Sequence, residues 1–236
     1  MLAIIVPFLF LSAMATAGDA SSVQFPTIEQ VVSRMIARDS ERQAILQGYT
    51  VTRRYVLENQ SRHKRAEMQV RMACLEDGSK QFEIISATGW AGARKHVFSR
   101  LLEAETEASR PEYRERSRIT PENYEFEMLG TEYVDQRPVH VLAILPKTPN
   151  KYLMQGRIWV DTSDYAIVRI AGKPARNPSF WIRSTHFVHN YEKRGAHWLP
   201  ASNRSVTDVR IFGSTEVTIE YFDYAPGGEQ VQRSLP

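Results

Sequence analysis

The sequence predicts a mostly β fold, an antiparallel sheet of about ten strands accompanied by two helices. Apolar and polar residues alternate with period two over most of residues 49–224, which is typical of strands with one buried face. Short turns join many of these segments, and no segment between the later ones is long enough for a helical parallel crossover. Such long strands in one domain bury their inner face only if the sheet closes or nearly closes.

Residues 1–17 predict a secretory signal peptide. They carry no charged side chain, are strongly apolar, and end in Ala15-Thr16-Ala17, a small-x-small pattern that a signal peptidase accepts. We therefore expect cleavage after Ala17, export, and one mature domain over residues 18–236. The alternative is an uncleaved anchor, although the run is shorter than the roughly 20 residues that a spanning helix needs.

Two helices are predicted. The first covers Thr27–Gln47, where Thr27 and Gln30 form a capping-box pattern and Gly48 supplies a C-terminal stop. The second covers Ala91–Ala108 and has only a narrow apolar side. The polar stretch Ser109–Pro121 that follows is expected to be a loop or a frayed helix.

Three strands are predicted before the second helix and seven after it. Their ranges are Tyr49–Glu58, Arg65–Cys74, Lys80–Ala87, Tyr124–Val134, Arg137–Pro146, Tyr152–Asp161, Ala166–Gly172, Phe180–Lys193, His197–Arg210 and Ser214–Tyr224.

Charge and cysteine content exclude several classes of protein. The chain has 30 Lys and Arg against 27 Asp and Glu, a net charge of +3, far from the basic stripe of a nucleic-acid-binding protein. Its single cysteine, Cys74, excludes an internal disulfide framework and a cysteine-based zinc site. It also lies too far along the chain to be a lipid-modified residue directly after the signal peptide.

Sequence patterns of catalysis and metal binding are missing. The chain contains neither a G-x-S-x-G nucleophile elbow nor an H-E-x-x-H helix, and Gly89-Trp-Ala-Gly92 lacks the Lys of a phosphate-binding loop. His186 and His189 are three residues apart on a predicted strand, so their rings point to opposite faces. We therefore predict no catalytic residues, no metal site and no cofactor.

The inner face of the predicted sheet is apolar, and its periodicity does not choose between a packed core and a ligand cavity. A shift of one residue in register would move the residues of a whole strand to the other face. The side chains expected to line the interior are Met68, Val70, Met72, Phe82, Ile84, Phe126, Met128, Val141, Ile158 and Val160, with Val97, Leu101 and Leu102 from a helical lid.

A basic cluster covers the ends of the first two strands and the turn between them. Such a cluster is either a solvated hairpin tip or a patch that contacts an anionic membrane surface or lipid head groups. Its members are Arg53, Arg54, Arg62, His63, Lys64 and Arg65.

Three sequence segments carry a resemblance to a known family. After the signal peptide and first helix comes Tyr49-Thr-Val-Thr-Arg-Arg-Tyr55, and later Tyr152-Leu-Met-Gln-Gly-Arg-Ile-Trp-Val-Asp161 is followed by Asp164-Tyr-Ala-Ile-Val-Arg-Ile170. The chain resembles the LolA-like family of periplasmic lipoprotein carriers. This resemblance implies a half-open antiparallel β-barrel whose concave face is closed by helices.

The resemblance also implies a function. A protein of this family shields acyl chains of lipoproteins or lipids in an apolar cavity during outer-membrane lipoprotein sorting, without catalysis. Its partners would be an inner-membrane release complex driven by ATP and an outer-membrane acceptor, and we expect a periplasmic monomer. Alternatives are an envelope-stress sensor or regulator of the same fold that binds lipid or peptide signals, and a structural envelope protein with a filled barrel.

Overall fold

The computed structural model describes residues 25–177, 182–210 and 213–226, so the predicted signal peptide lies outside the described residues. Within these ranges the chain forms ten strands: β1 Tyr49–Asn59, β2 Lys64–Cys74, β3 Lys80–Gly89, β4 Tyr124–Val134, β5 Arg137–Pro146, β6 Met154–Asp161, β7 Ile167–Pro174, β8 Ile182–Arg194, β9 His197–Val209 and β10 Gly213–Pro226.

All ten strands belong to one sheet. Their spatial order is β3-β2-β1-β10-β9-β8-β7-β6-β5-β4, and each neighbouring pair is antiparallel. The sheet is open, with β3 and β4 as its edges in the described part of the chain. The mostly β antiparallel fold predicted from the sequence is therefore confirmed, with helices rather than full closure covering the inner face.

The first helix begins and ends where the sequence signals predicted. Helix α1 spans Ile28–Leu46, and its first turn is held by the capping box, in which the backbone N–H of Gln30 donates to Thr27 Oγ1 at 3.3 Å. Gly48 follows with φ of +75°, a conformation that glycine adopts without steric cost. In the described part of the chain, no helix combines the length and the hydropathy that a membrane-spanning helix needs.

The second predicted helix consists of two parts. A π-helical segment, Ala93–Phe98, runs directly into α2, Ser99–Ser109. The stretch predicted as a loop or frayed helix contains the short helix α3, Pro111–Arg114, and a 3₁₀ turn, Glu115–Ser117. Another 3₁₀ turn, Gln60–Arg62, joins β1 to β2.

Cross-strand register defines a continuous inner face of the sheet. Tyr55 of β1 lies opposite Ile219 of β10 at one end, and Leu142 of β5 lies opposite Ile158 of β6 at the other. Each end carries its own apolar cluster. Helix α1 packs Val31, Val32 and Met35 over the β4–β7 end, whereas Phe98 and Leu102 cover the β1–β3 end.

The outer face of the sheet also carries a buried apolar cluster, which corrects one expectation. Val141 lies opposite Trp159 and packs with it and Val168, away from Ile158 and Val160. The predicted grouping of Val141 with those two residues is wrong by one position. Its neighbour Leu142 occupies the inner face instead, where it is fully buried.

Candidate functional site

Helix α2 and the π-helical segment before it form a cover over the inner face at the β1–β3 end. The Phe98 ring packs edge-on against Tyr55 with centroids 6.2 Å apart, and Leu102 joins the same cluster. The predicted lid residues separate here, because Leu102 is buried and Val97 partly buried, whereas Leu101 is exposed. The cover is thus attached largely through side chains.

A charged group on α2 reaches the floor beneath this cover. Glu105 accepts a hydrogen bond from Arg53 of β1 through Oε2 and one from Lys80 of β3 through Oε1, both at 2.7 Å. Burial would raise the pKa of Glu105, but the charges of Lys80 and Arg53 outweigh it and hold that pKa well below its usual value. One carboxylate therefore joins α2 to two strands.

Arg53 lies inside the protein and not at a hairpin tip. Only 3% of the residue is exposed, and its guanidinium lies 4.7 Å from the Tyr221 ring centroid and 5.6 Å from that of Phe82. Its Nη1 also donates to the Tyr55 hydroxyl at 3.3 Å. The expectation that Arg53 contacts a membrane surface is wrong for this arrangement, because its position on β1 faces the interior.

The other members of the basic cluster lie on the outer face or at the tip. Arg54 points away from the interior and pairs with Glu67 at 2.7 Å and with Glu220 at 3.3 Å. Arg65 pairs with Glu58 at 2.6 Å. Arg62 and Lys64 are exposed at the β1–β2 connection, and head-group contact there stays a prediction.

His189 of β8 lies on the inner face of the sheet. Its ring stacks on Tyr191 at 4.6 Å and on Tyr221 at 6.0 Å between centroids. Burial, followed by the positive charges of Arg42, Arg53 and Lys80, lowers its pKa to about 3. His186 is exposed on the same strand, so the predicted separation of the two histidines is confirmed.

A cavity of about 390 Å³ lies between the helices, beside His189. Met35 and Leu46 of α1 and Ile167 and Ile170 of β7 form apolar parts of its wall. Its charged lining residues are Asp39, Arg42, Lys80, Glu105, Arg114 and Arg118.

A larger and wider groove of about 970 Å³ runs beside the first half of α1. Ile28, Val32, Ile36 and Phe126 give it an apolar wall, and Arg118 borders it as well as the cavity. Arg118 is the lining residue that the groove and the cavity share, so its guanidinium is within reach of both.

The predicted lining residues are divided between the two covered ends of the inner face. Those near α2 and its π-helical segment are Met68, Val70, Phe82, Val97 and Leu102, with Met72 in an adjoining cluster; those near α1 are Phe126, Met128, Ile158 and Val160. Phe126 borders the groove, and none of the predicted residues borders the 390 Å³ cavity. That they line a ligand cavity stays a prediction.

Ile84 departs most from its predicted environment. It is 55% exposed although it lies opposite the buried Val70, because β3 is an edge strand and its pairing with β2 shifts register between Gln69 and Val70. The alternation that placed Ile84 in the interior does not reveal this irregularity. We expect Ile84 to contribute less to any enclosed lining than Val70.

The sequence did not predict a charged interior. Arg53 was expected at a membrane surface, Arg118 lies in the polar stretch after the second helix, and nothing in the sequence singled out Arg42 or Glu105. A weak signal existed, since Glu105 stands three positions after Leu102 and shares its side of the helix. Among the described residues, no group of three or more His, Cys, Asp or Glu side chains is placed to hold a metal ion.

Comparison with known proteins finds similar solved structures, whereas no family model and no curated protein matches the chain. A LolA superfamily protein from Nitrosomonas europaea shares 11% identity at a TM-score of 0.42, covering 90% of this chain and 96% of its own. An outer membrane lipoprotein-sorting protein domain from Vibrio parahaemolyticus shares 15% at 0.45, covering 87% and 95%. A DUF1329 family protein from Desulfovibrio piger shares 11% at 0.48, covering 86% and 94%.

Proposed function

We propose that this chain is a non-enzymatic periplasmic carrier that shields acyl chains of lipoproteins or lipids between its sheet and its helices. The observation that carries the proposal is the construction of the interior. An apolar inner face is covered by helices joined to it mainly through side chains, and a cavity of about 390 Å³ lies between them. Acyl chains are stabilised by removal from water, at about 0.8 kcal/mol per buried CH₂ group.

Cargo entry would require the helical cover to move. Met68 and Val70 are buried beneath α2 and the π-helical segment, and Ile158 and Val160 beneath α1. Separation of the helices from the sheet would turn these packed side chains into the lining of a larger cavity. Cargo would then replace the apolar contacts that the helices lose, so opening and binding would be coupled.

Residues 1–17 would direct export, and residues 18–236 would form the mature carrier domain. We further propose that cargo is delivered by an inner-membrane release complex and passed to an outer-membrane acceptor. Exposed Arg62, Lys64 and Arg65 at the β1–β2 tip would approach the anionic surface during these exchanges, where each basic residue contributes about 1 kcal/mol.

The experiment measures displacement of a fluorescent fatty acid from delipidated protein. Phe126→Asp introduces a charge into the apolar wall of the groove and should abolish probe binding while the protein stays folded. Tyr133→Asp is the matched control, because Tyr133 lies on the same strand and is 76% exposed. Equal binding by both variants would refute the proposal, and unfolding of Phe126→Asp would indicate a packed core instead.

The second candidate is a sensor or regulator of the same fold that binds a lipid or peptide signal. The observation that favours it is the edge strand β3, on which Ile84 and its neighbour Ile85 are both exposed. An extended peptide could add to such an edge through main-chain hydrogen bonds. Transfer of a labelled lipid from donor to acceptor vesicles separates the two, since a carrier speeds transfer and a sensor only retains the lipid.

A further inference from the structure

The cavity between the helices has an excess of positive charge. Four cationic side chains border it, Arg42, Lys80, Arg114 and Arg118, against the carboxylates of Asp39 and Glu105. A purely apolar cargo gains nothing from such a wall, and burial of charged groups is costly unless they find partners. The charge excess therefore needs a physical reason.

The carboxylates of the cavity are already engaged. Glu105 binds Arg53 and Lys80, while Asp39 accepts hydrogen bonds from Arg42 and from Gln43. Two carboxylates cannot accept hydrogen bonds from every N–H of the cationic side chains, because each guanidinium alone has five N–H donors. Arg118 also donates to Ser40 Oγ at 3.0 Å and to Glu115 at 3.4 Å, which leaves its Nε for another acceptor.

Three buried guanidinium nitrogens have no hydrogen-bond partner among the described residues. They are the Nε atoms of Arg42, Arg53 and Arg118, and two of these residues border the cavity. The Nε2 of His189, which also borders it, is buried and unpaired as well. Buried polar groups are nearly always paired, and each unpaired donor costs stability.

The shape of the cavity separates an amphiphile from a simple ion. Its volume of about 390 Å³ is near the lower end of the range for small-molecule sites, about 300–1,000 Å³. A water molecule occupies about 30 Å³ in the liquid, so a small inorganic anion would leave most of the space unfilled. The apolar part of its wall, and the apolar wall of the groove that Arg118 also borders, suit an attached hydrocarbon chain.

We propose that the cavity binds the anionic head group, a carboxylate or a phosphate, of an acyl-chain amphiphile, with Arg42 and Arg118 as head-group ligands. This inference rests on the proposed carrier function and narrows its cargo to negatively charged amphiphiles. The acyl chain of the ligand runs from Arg118 along the groove wall formed by Val32, Ile36 and Phe126. Charge-assisted hydrogen bonds to guanidinium groups fix the head group, and apolar contacts hold the chain.

Calorimetric titration of the delipidated chain with matched probes tests this inference. Palmitate and palmitoyl lysophosphatidic acid supply the two anionic head groups, 1-hexadecanol supplies a similar neutral chain, and inorganic phosphate supplies the anion alone. We expect both anionic amphiphiles to bind about tenfold or more tightly than the alcohol. Arg118→Gln should remove that preference, and Arg118→Lys should retain part of it.

Arg116→Gln is the matched control, because Arg116 is exposed two residues away and does not border the cavity. It should leave the preference for anionic amphiphiles unchanged. If Arg118→Gln fails to fold, the unaltered chain still provides a readout. Its affinity for palmitate should fall with added salt, whereas its affinity for 1-hexadecanol should not.

The outcomes separate this inference from the proposed function. Equal affinity for palmitate and 1-hexadecanol, unchanged in Arg118→Gln, would overturn the head-group site and leave the carrier function standing. Failure of every amphiphile to bind would overturn both. Inorganic phosphate binding as tightly as the amphiphiles would show an ion site only, which also overturns the inference.

Discussion

Replacement of Glu105 by Gln tests how the α2 cover is held to the sheet. The change keeps the side-chain size and removes the charge that Arg53 and Lys80 share at 2.7 Å each. Arg53 is only 3% exposed, so its guanidinium cannot recover hydration without movement of the cover. We therefore expect the cover to loosen and the protein to lose stability.

The magnitude follows from burial on the two sides of the ion pair. Breaking a fully buried pair costs about 3–5 kcal/mol, but the Glu105 side chain is 28% exposed and its partner Lys80 is similar, so solvent screens part of that cost. We expect Glu105→Gln to lower the free energy of unfolding by about 2 kcal/mol at pH 7. Since the pKa of Glu105 is lowered in the folded state, this contribution is present above pH 4.5 and is lost as the pH falls further.

Urea unfolding measures the effect, with Glu107→Gln as the matched control on the same helix. Glu107 is 42% exposed and pairs with the exposed Lys151, so its replacement should change stability far less. Hydrogen exchange should also rise across residues 99–109 in Glu105→Gln and stay unchanged in α1. If Glu105→Gln destabilises the protein no more than Glu107→Gln, the role assigned to this ion pair is wrong.

Two further predictions concern the interior. The pKa of His189 is about 3 in the folded protein, against an ordinary value of 6.5. Between pH 6.5 and pH 3 the unfolded protein therefore binds a proton at His189 that the folded protein does not bind, so the free energy of unfolding falls as the pH falls. At pH 5 His189 should lower the free energy of unfolding by about 2 kcal/mol relative to pH 7.5. In urea titrations at the two pH values, the free energy of unfolding of His189→Gln should change by about 2 kcal/mol less than that of the unaltered protein, and an equal change in both would contradict this expectation. A Cβ at Gly156 would lie 2.1 Å from the carbonyl oxygen of Ala171 on the neighbouring strand, so that backbone has to shift. Gly156→Ala should therefore lower the free energy of unfolding by about 1–3 kcal/mol. An unchanged thermal midpoint would contradict this prediction, because it would mean that β6 and β7 accommodate the added methyl group without cost.

Local patterns predicted much of the fold. The bounds of β4 and β5 agree with the sequence prediction, because both strands flank a two-residue turn at Asp135 and Gln136, whose φ angles are +48° and +64°. Asp adopts a positive φ more readily than most residues, whereas Gln has no such preference. Alternation also placed Met68 and Val70 correctly on a buried face, since the other face of β2 is polar. The alternation of apolar and polar residues and the residue preferences of turns depend on only a few neighbouring residues, so the sequence shows both directly.

The errors arose where long-range contacts decide the environment. Strand β5 is buried on both faces from Val139 to Leu142, so its apolar run does not reveal which residues face inward, and only pairing with β6 assigns Val141 to the outer face. Arg53 and Arg54 are adjacent and chemically alike, yet one pairs with α2 and the other with outer-face carboxylates. Glu105, the interior partner of Arg53, lies 52 residues away in sequence, which is why the charged interior was not predicted.

Native mass spectrometry of the delipidated chain with palmitate measures the central claim most directly, that one acyl chain is held within the fold. We expect a single palmitate per protein chain, retained in Tyr133→Asp and lost in Phe126→Asp. The absence of bound palmitate, or equal uptake by both variants, would contradict the claim and favour a filled interior.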